Sequence, residues 1–164
     1  MKRNLVLFLM AGSLIFVSCE SGSGGMSAAA KKNLAANDSI GKIMERGDFE
    51  KLSEYIAADA VDHAGEQGDI VGLDNIMAEM KKWKEMMPDM KSTMNKSMAD
   101  DEYVFTWSEY SGTMNGKPYT SKGMDVAKFK DGKAVEHWMY MDPKDMAMMM
   151  APPPPPAMAD STAK

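Results

Sequence analysis

Two dipeptides, Asn115-Gly116 and Asp131-Gly132, constrain the fold of this chain more than any other feature. Each lies between stretches that favour β-strands, and each combines residue types that readily adopt the positive φ angles of a two-residue hairpin turn. Residues 103–110, upstream of the first turn, are rich in aromatic and β-branched residues, which favour strands. With a further strand starting near Met90, the C-terminal half is predicted to be a four-stranded antiparallel meander.

The N-terminal half is predicted to be mainly helical. Apolar residues recur there at helical spacing, and Gly47 and Pro88 lie where two of the helical patterns end. Asp48 is a candidate cap for the second helix. The predicted elements are helices over residues 28–46, 49–57 and 74–87 and a short strand over residues 59–63. Helices followed by strands predict an α+β fold, with three N-terminal helices packed on one face of a curved antiparallel sheet.

The start of the chain has the pattern of a secretory signal. Lys2 and Arg3 precede an apolar stretch that is too short to anchor the chain as a spanning helix, and Cys19 follows it. The segment Phe16-Val17-Ser18-Cys19 resembles a bacterial lipoprotein lipobox. That resemblance implies cleavage before Cys19, lipidation of its sulfur, and anchoring to a bacterial membrane in the cell envelope. Ordinary secretion with a free thiol is the alternative.

The composition divides the chain into four parts. Residues 1–18 are the predicted signal peptide, residues 19–27 a flexible tether rich in Gly and Ser, and residues 28–147 a single domain. Residues 148–164, rich in Met and Pro, are predicted to be a disordered tail.

The charge of the chain excludes one class of partner. The formal net charge is −5, and removal of Lys2 and Arg3 with the signal makes it −7. An acidic domain without a basic stripe is unsuited to nucleic acid, because binding there requires cations that displace counterions from phosphates. We find no phosphate-binding loop and no nucleophile motif, so no cofactor is predicted.

Several short segments together resemble one family. They are Gly47-Asp48, Val61-Asp62-His63, Gly72-Leu73-Asp74, Gly123-Met124-Asp125-Val126 and Glu136-His137-Trp138. Their order and spacing over residues 34–142 resemble the SnoaL-like polyketide cyclases of the nuclear-transport-factor-2-like superfamily. The resemblance implies a cone-shaped sheet curled around a pocket that the helices close, and a homodimer formed through the outer face of the sheet. It also implies that an acid–base group lies on the last strands, where residues 136–138 fall.

Strand alternation selects the candidate catalytic residues. Asp125 and His137 each lie on a mostly apolar strand face, so we predict that both point into the pocket. A carboxylate beside an imidazole orients one tautomer and brings the histidine pKa near working pH. His63 is predicted to assist them from the mouth of the pocket. A structural role for His137, between Glu136 and Trp138, is the alternative.

Five aromatic residues are predicted to line the pocket: Tyr55, Trp83, Trp107, Phe129 and Trp138.

Methionine is unusually common, with 20 residues in the chain. Soft thioethers bind Cu(I), and a cluster near the C terminus could supply them. Use of Met in place of Leu in the core is the alternative explanation. The cluster comprises Met139, Met141, Met146, Met148, Met149 and Met150.

Three functions therefore remain open. The first is binding of a small apolar or amphipathic molecule by a lipid-anchored domain. The second is acid–base catalysis of the isomerase, cyclase or dehydratase type by His137 and Asp125. The third is copper binding at the cell surface.

Overall fold

The computed structural model describes residues 25–65 and 67–149. These residues form six strands, three α-helices and one 3₁₀-helix. The helices are α1 (Ala28–Arg46), the 3₁₀-helix (Phe49–Glu54), α2 (Leu73–Met86) and α3 (Pro143–Met149). The strands are β1 (Ile56–Asp62), β2 (Ile70–Val71), β3 (Lys91–Ala99), β4 (Tyr103–Met114), β5 (Lys117–Lys130) and β6 (Lys133–Met141).

Helix α1 has the bounds that the sequence predicts, and both of its ends are capped. The Ser27 hydroxyl accepts a hydrogen bond from the Ala30 backbone N–H at 3.0 Å. At the other end Gly47 has φ = 82°, and its N–H donates to the Ile43 carbonyl at 2.8 Å. A glycine adopts this left-handed geometry without the steric cost that other residues pay. These caps explain why the helix begins and ends where it does.

The two predicted hairpin turns are confirmed. Asn115 and Gly116 have φ angles of 52° and 74°, and Asp131 and Gly132 have φ angles of 55° and 82°. Positive φ at both central residues matches the right-handed twist of the flanking strands. The first turn joins β4 to β5 and the second joins β5 to β6, so both pairs are antiparallel.

The six strands form one sheet in the order β2-β1-β6-β5-β4-β3. Strand β1 is parallel to β6, and the other neighbours are antiparallel. Helices α1 and α2 contact the sheet, and the core between them includes Leu52, Ile76, Val104 and Phe129, all less than 5% exposed. The fold is therefore α+β, with the helices covering one face of the sheet.

Three details of the predicted fold are wrong. The predicted helix over residues 49–57 is a 3₁₀-helix that ends at Glu54, and the Asp48 side chain makes no capping hydrogen bond. The chain enters β1 at Ile56, because the Tyr55 carbonyl accepts a hydrogen bond from Ala134 of β6 at 2.8 Å. Helix α3 was not predicted. The described residues contain four helices, one of them a 3₁₀-helix, so the prediction of three N-terminal helices is confirmed only in part.

The predicted signal peptide, lipidated Cys19, most of the tether and most of the Met/Pro-rich tail lie outside the described residues. Within the described residues, no helix combines the length and apolar character needed to cross a bilayer.

Candidate active site

A cavity of about 410 Å³ lies between the helices and the face of the sheet that they cover. Its wall is mostly apolar and includes Trp83 and seven methionines. Methionine side chains are flexible and polarizable, so they fit ligands of irregular shape. The methionines in the wall are Met44, Met80, Met87, Met90, Met94, Met139 and Met141.

A network of four polar side chains faces this cavity. His137 Nδ1 lies 2.9 Å from Asp62 Oδ1, and His137 Nε2 lies 3.4 Å from Asp125 Oδ1. The Tyr110 hydroxyl donates to the other oxygen of Asp125. The side chains of Asp62, Asp125 and His137 are 17%, 20% and 34% exposed, and all four residues line the cavity. The network is thus accessible from inside the cavity.

The pairing of three strands brings these side chains together. In the parallel β1–β6 pair, Asp62 is opposite His137. In the antiparallel β5–β6 pair, His137 is opposite Ala127, so Asp125, two residues before Ala127, points to the same face. An irregularity in β6 at Val135 places both Ala134 and His137 on the inner face. The network therefore depends on strands that are far apart in sequence.

The network favours a charged imidazole. Burial alone would lower the pKa of His137, but the hydrogen bonds to Asp125 and Asp62 outweigh it and raise the pKa to about 9. Burial likewise opposes ionisation of Asp62, and the hydrogen bond and charge of His137 bring its pKa below the ordinary value. Burial and the charge of Asp125 raise the pKa of Tyr110. These shifts favour the charged imidazolium at His137 and the neutral phenol at Tyr110.

His63 does not line the cavity, so its predicted place at the mouth of the pocket is wrong. Because His63 directly follows Asp62, the last residue of β1, its side chain points to the opposite face of the sheet. There it stacks on Trp138 with a centroid distance of 4.8 Å and an interplanar angle of 17°. Its Nδ1 lies 3.0 Å from Asp69 Oδ1, and its Nε2 lies 3.4 Å from Glu136 Oε2. The hydrogen bond to Asp69 is the main cause of its raised pKa.

Of the five aromatic residues that the sequence places in the pocket, only Trp83 lies in the cavity wall. Phe129 is 4% exposed within the core, and Tyr55 packs against that core. Trp107 is 48% exposed on the outer face, since it is the neighbour of inward-facing Thr106. Trp138 is on the outer face for the same reason, next to His137. Aromatic character alone does not tell which strand face is concave.

Sequence reasoning missed Asp62 and Tyr110 as site residues. Asp62 has a usable signal, because it precedes His63 on a predicted strand and one of two such neighbours must face inward. Tyr110 lies at the end of the predicted strand over residues 103–110, and no sequence pattern indicates that its hydroxyl reaches Asp125.

No group of three or more His, Cys, Asp or Glu side chains in the described part of the chain is arranged to hold a metal ion. The predicted copper cluster is divided: Met139 and Met141 line the cavity, while Met146, on α3, is 44% exposed. The side chains of Met148, Met149 and Met150 lie outside the described set. Copper binding by the terminal methionines stays a prediction.

Comparison with known proteins identifies the family. A profile of the SnoaL-like domain matches residues 41–137, which is more than half of the chain. The chain therefore belongs to the SnoaL-like family, as the sequence motifs indicate. Comparison with curated proteins gives no match.

Solved structures share the fold at low sequence identity. A protein from Jannaschia sp. CCS1 assigned as a SnoaL-like polyketide cyclase superposes with a TM-score of 0.72 at 14% identity, covering 82% of this chain and 100% of that one. IdmH from Streptomyces antibioticus, assigned as a polyketide cyclase, superposes with a TM-score of 0.63 at 24% identity, covering 71% of this chain and 96% of that one. An LEH-like epoxide hydrolase from M. tuberculosis superposes with a TM-score of 0.63 at 15% identity, covering 73% of this chain and 89% of that one. At these identities the likeness establishes the fold, while activity depends on the site.

Proposed function

We propose that this protein binds a small, largely apolar molecule in its cavity and holds the polar part of that molecule at the Asp62–His137–Asp125–Tyr110 network. One observation carries this proposal: an apolar cavity of about 410 Å³ with a cluster of exposed polar groups on part of its wall. Small-molecule sites typically combine an apolar lining with a few polar groups that fix orientation.

A binding assay with a matched pair of substitutions tests this proposal. Met80 lines the cavity, whereas Met98 is 61% exposed outside it. We expect the neutral dye Nile red to bind the wild-type protein and Met98→Trp equally. Met80→Trp should weaken binding about tenfold or more, because the larger ring occupies part of the cavity. Absence of dye binding, or equal binding by both variants, would contradict the proposal.

Acid–base catalysis is the second candidate, and the contact between His137 and Asp125 inside the cavity favours it. Asp125 would accept a proton from a C–H or O–H group of the bound molecule. As Asp125 becomes neutral, the negative charge left on the bound molecule would lie beside protonated His137 and Tyr110, whose donors no longer face an ionised carboxylate and can turn to that charge.

Hydrogen exchange on a bicyclic ketone tests for catalysis without knowledge of the substrate. Loss of deuterium from the α-carbon of deuterated decalone, followed by NMR, should be faster with wild-type protein than with buffer. We expect Asp125→Asn to reduce the enzyme-dependent rate about a hundredfold or more. Asp69→Asn, which removes an acid outside the cavity, should leave the rate unchanged. If both variants retain the wild-type rate, Asp125 is not the base.

We also propose that Cys19 carries a lipid that holds the domain at a bacterial membrane. The supporting observation is the basic and apolar start of the chain followed by a lone cysteine. Cys19→Ala should release the protein from the membrane fraction. Retention of this variant at the membrane would contradict the proposal.

A homodimer through the outer face of the sheet is a further proposal. Phe105, Trp107, Met124 and Tyr140 are between 37% and 60% exposed. Trp107, Met124 and Tyr140 are direct neighbours across β4, β5 and β6. Exposed apolar patches of this kind mark interaction surfaces. Trp107→Lys should shift the protein towards the monomer in analytical ultracentrifugation, and an unchanged mass would contradict the proposal.

A further inference from the structure

The polar network in the cavity has few hydrogen-bond donors left for a ligand. A charged imidazole has two N–H donors, and those of His137 face Asp62 and Asp125. Tyr110 gives its single O–H to Asp125. Every donor of the four-residue network is therefore directed at a partner within the network.

The capacity that remains in the network is for accepting hydrogen bonds. Asp62 Oδ1 accepts hydrogen bonds from charged His137 and from the backbone N–H of Ala64, the latter at 2.9 Å. Asp62 Oδ2 has no donor among the described residues. A carboxylate offers about four lone-pair directions, so Asp62 and Asp125 can each accept more than they do. A ligand that donates hydrogen bonds fits this end of the cavity.

The charges around the cavity also favour a ligand that donates hydrogen bonds. Its ionisable lining consists of six acidic residues and two basic ones, of which Lys42 is paired with Asp38 at 2.5 Å. Glu79 and Glu136 are paired with Lys82 and Lys128, which are not part of the lining, so Glu45, Asp62 and Asp125 remain against His137. The acidic groups therefore exceed the basic groups even when His137 is charged and the lysine pairs are counted. The acidic residues are Asp38, Glu45, Asp62, Glu79, Asp125 and Glu136, and the basic residues are Lys42 and His137.

The remaining uncharged donors in the wall are hydroxyls, the Asn37 amide and the Trp83 indole N–H. Thr106, Ser108, Ser121 and Tyr119 line the cavity and can serve an uncharged oxygen of a ligand. They do not offset the charge of a carboxylate brought out of water into an apolar cavity with acidic groups nearby. The lining thus tolerates neutral ligands and opposes anions.

We infer that the ligand of this cavity is an amphipathic amine, whose protonated nitrogen donates hydrogen bonds to Asp62 and Asp125 while its apolar part lies against the methionines. This inference rests on the proposed binding function and names the chemical class of the ligand. A positive donor satisfies the free acceptors and also balances the excess of negative charge.

Three probes with the same ten-carbon chain test the inference on the wild-type protein. Decylamine, decanol and decanoate differ only in their head group, and displacement of Nile red at pH 7 gives their relative affinities. We expect decylamine to bind about tenfold or more tightly than decanol, since hydrogen bonds to charged groups are stronger than neutral ones. Decanoate should bind at least about tenfold more weakly than decanol.

Two charge-removing substitutions locate the effect. Asp62→Asn should reduce the preference for decylamine over decanol to about threefold or less, because it removes an anionic acceptor from the cavity. Asp69→Asn removes the same charge on the outer face and should leave the preference unchanged. Thermal unfolding of each variant shows whether it is folded, and the ranking of probes by the wild-type protein decides the question without either variant.

The possible results separate the two proposals. Binding of decanol without any preference for decylamine overturns the amine inference and leaves small-molecule binding intact. Tightest binding of decanoate also overturns the inference. If none of the three probes displaces the dye, both the proposed function and the inference fall.

Discussion

The two histidines of this domain lie on opposite faces of the sheet, and each is placed between two carboxylates. His137 faces the cavity between Asp62 and Asp125, and His63 faces outward between Asp69 and Glu136. Asp62 at the end of β1 is followed by His63, and Glu136 and His137 are neighbours on β6. The inner acid, Asp62, contacts the inner histidine, and the outer acid, Glu136, contacts the outer histidine. The backbones also meet, since the His63 N–H donates to the His137 carbonyl at 2.8 Å.

The difference between these two sites lies in their surroundings. Lys128 contacts Glu136 at 2.8 Å and Trp138 covers the His63 ring, so the outer group resembles a surface cluster of ion pairs. Such clusters contribute little free energy, because water screens them. The inner group borders an apolar cavity, where unpaired charge is costly. An imidazole between two carboxylates is therefore structural on one face and a candidate binding group on the other.

Replacement of each histidine in turn should give the largest difference in stability between the two sites. His137→Gln leaves Asp62 and Asp125 close together without a cation between them, so we expect the free energy of unfolding to fall by about 2–4 kcal/mol. His63→Gln should cost no more than about 1 kcal/mol, because its ion pairs are screened. Urea denaturation of both variants measures this contrast. Equal losses would mean that the two environments do not differ as described.

The pH dependence of stability should follow His137. Its pKa rises from the ordinary value of 6.5 to about 9 in the folded protein, so its contribution is complete below pH 6.5 and is lost as pH rises to about 9. We expect a loss on the order of 2 kcal/mol, reduced from the full linkage value because a third of the side chain is exposed. The pKa of His63 is also raised and adds a smaller loss in the same direction.

Urea denaturation across this pH range checks the assignment. His137→Gln should flatten most of the slope between pH 6.5 and 9, whereas His63→Gln should retain most of it. On the acid side, the lowered pKa of Asp62 predicts stability that is present above its ordinary value and is lost as pH falls through the folded value. A slope that disappears in His63→Gln instead would contradict the assignment.

The stack on His63 should have a smaller effect. Trp138→Leu removes the parallel contact between the two rings and should lower the free energy of unfolding by about 1 kcal/mol. Trp107→Leu, on the same outer face, is the matched control and should cost less. Nile red should bind both variants like the wild-type protein. Loss of dye binding in Trp138→Leu would show that the outer cluster supports the cavity.

The smallest expected effect is that of Asp69→Asn. The Asp69 side chain is 57% exposed, and its hydrogen bond to His63 is the main cause of the raised pKa of that ring. The substitution should lower the pKa of His63 and change stability by less than about 1 kcal/mol. NMR titration should show the pKa of His137 unchanged. A shift at His137 would instead show that the two histidines are coupled through the backbone.

Local sequence signals predicted most of the fold. The bounds of α1 and the two hairpins follow from residues that are neighbours in sequence, such as Gly47 and Asn115-Gly116. Strand β2, the parallel pairing of β1 with β6, and the early start of β1 at Ile56 depend on contacts between distant segments. Propensity and periodicity carry no information about such contacts.

The site was predictable in part for the same reason. Alternation assigns Asp125 to one face of β5 and His137 to one face of β6. The structure shows that both residues lie on the same face of the sheet, which lines the cavity. Asp62 points inward and His63 points outward, because the parallel register between β1 and β6 decides which of these two neighbours is opposite His137. Trp107 and Trp138 were misplaced because only the position of the helices distinguishes the inner face of the sheet from the outer one.

The most direct test is ¹⁵N NMR of the histidine rings at pH 7, with and without decanol. We expect His137 to be protonated on both ring nitrogens and its signals to move when decanol is added, while the signals of His63 stay in place. A neutral His137, or signals of His137 that do not respond to a bound alcohol, would contradict the binding of small molecules at the Asp62–His137–Asp125–Tyr110 network.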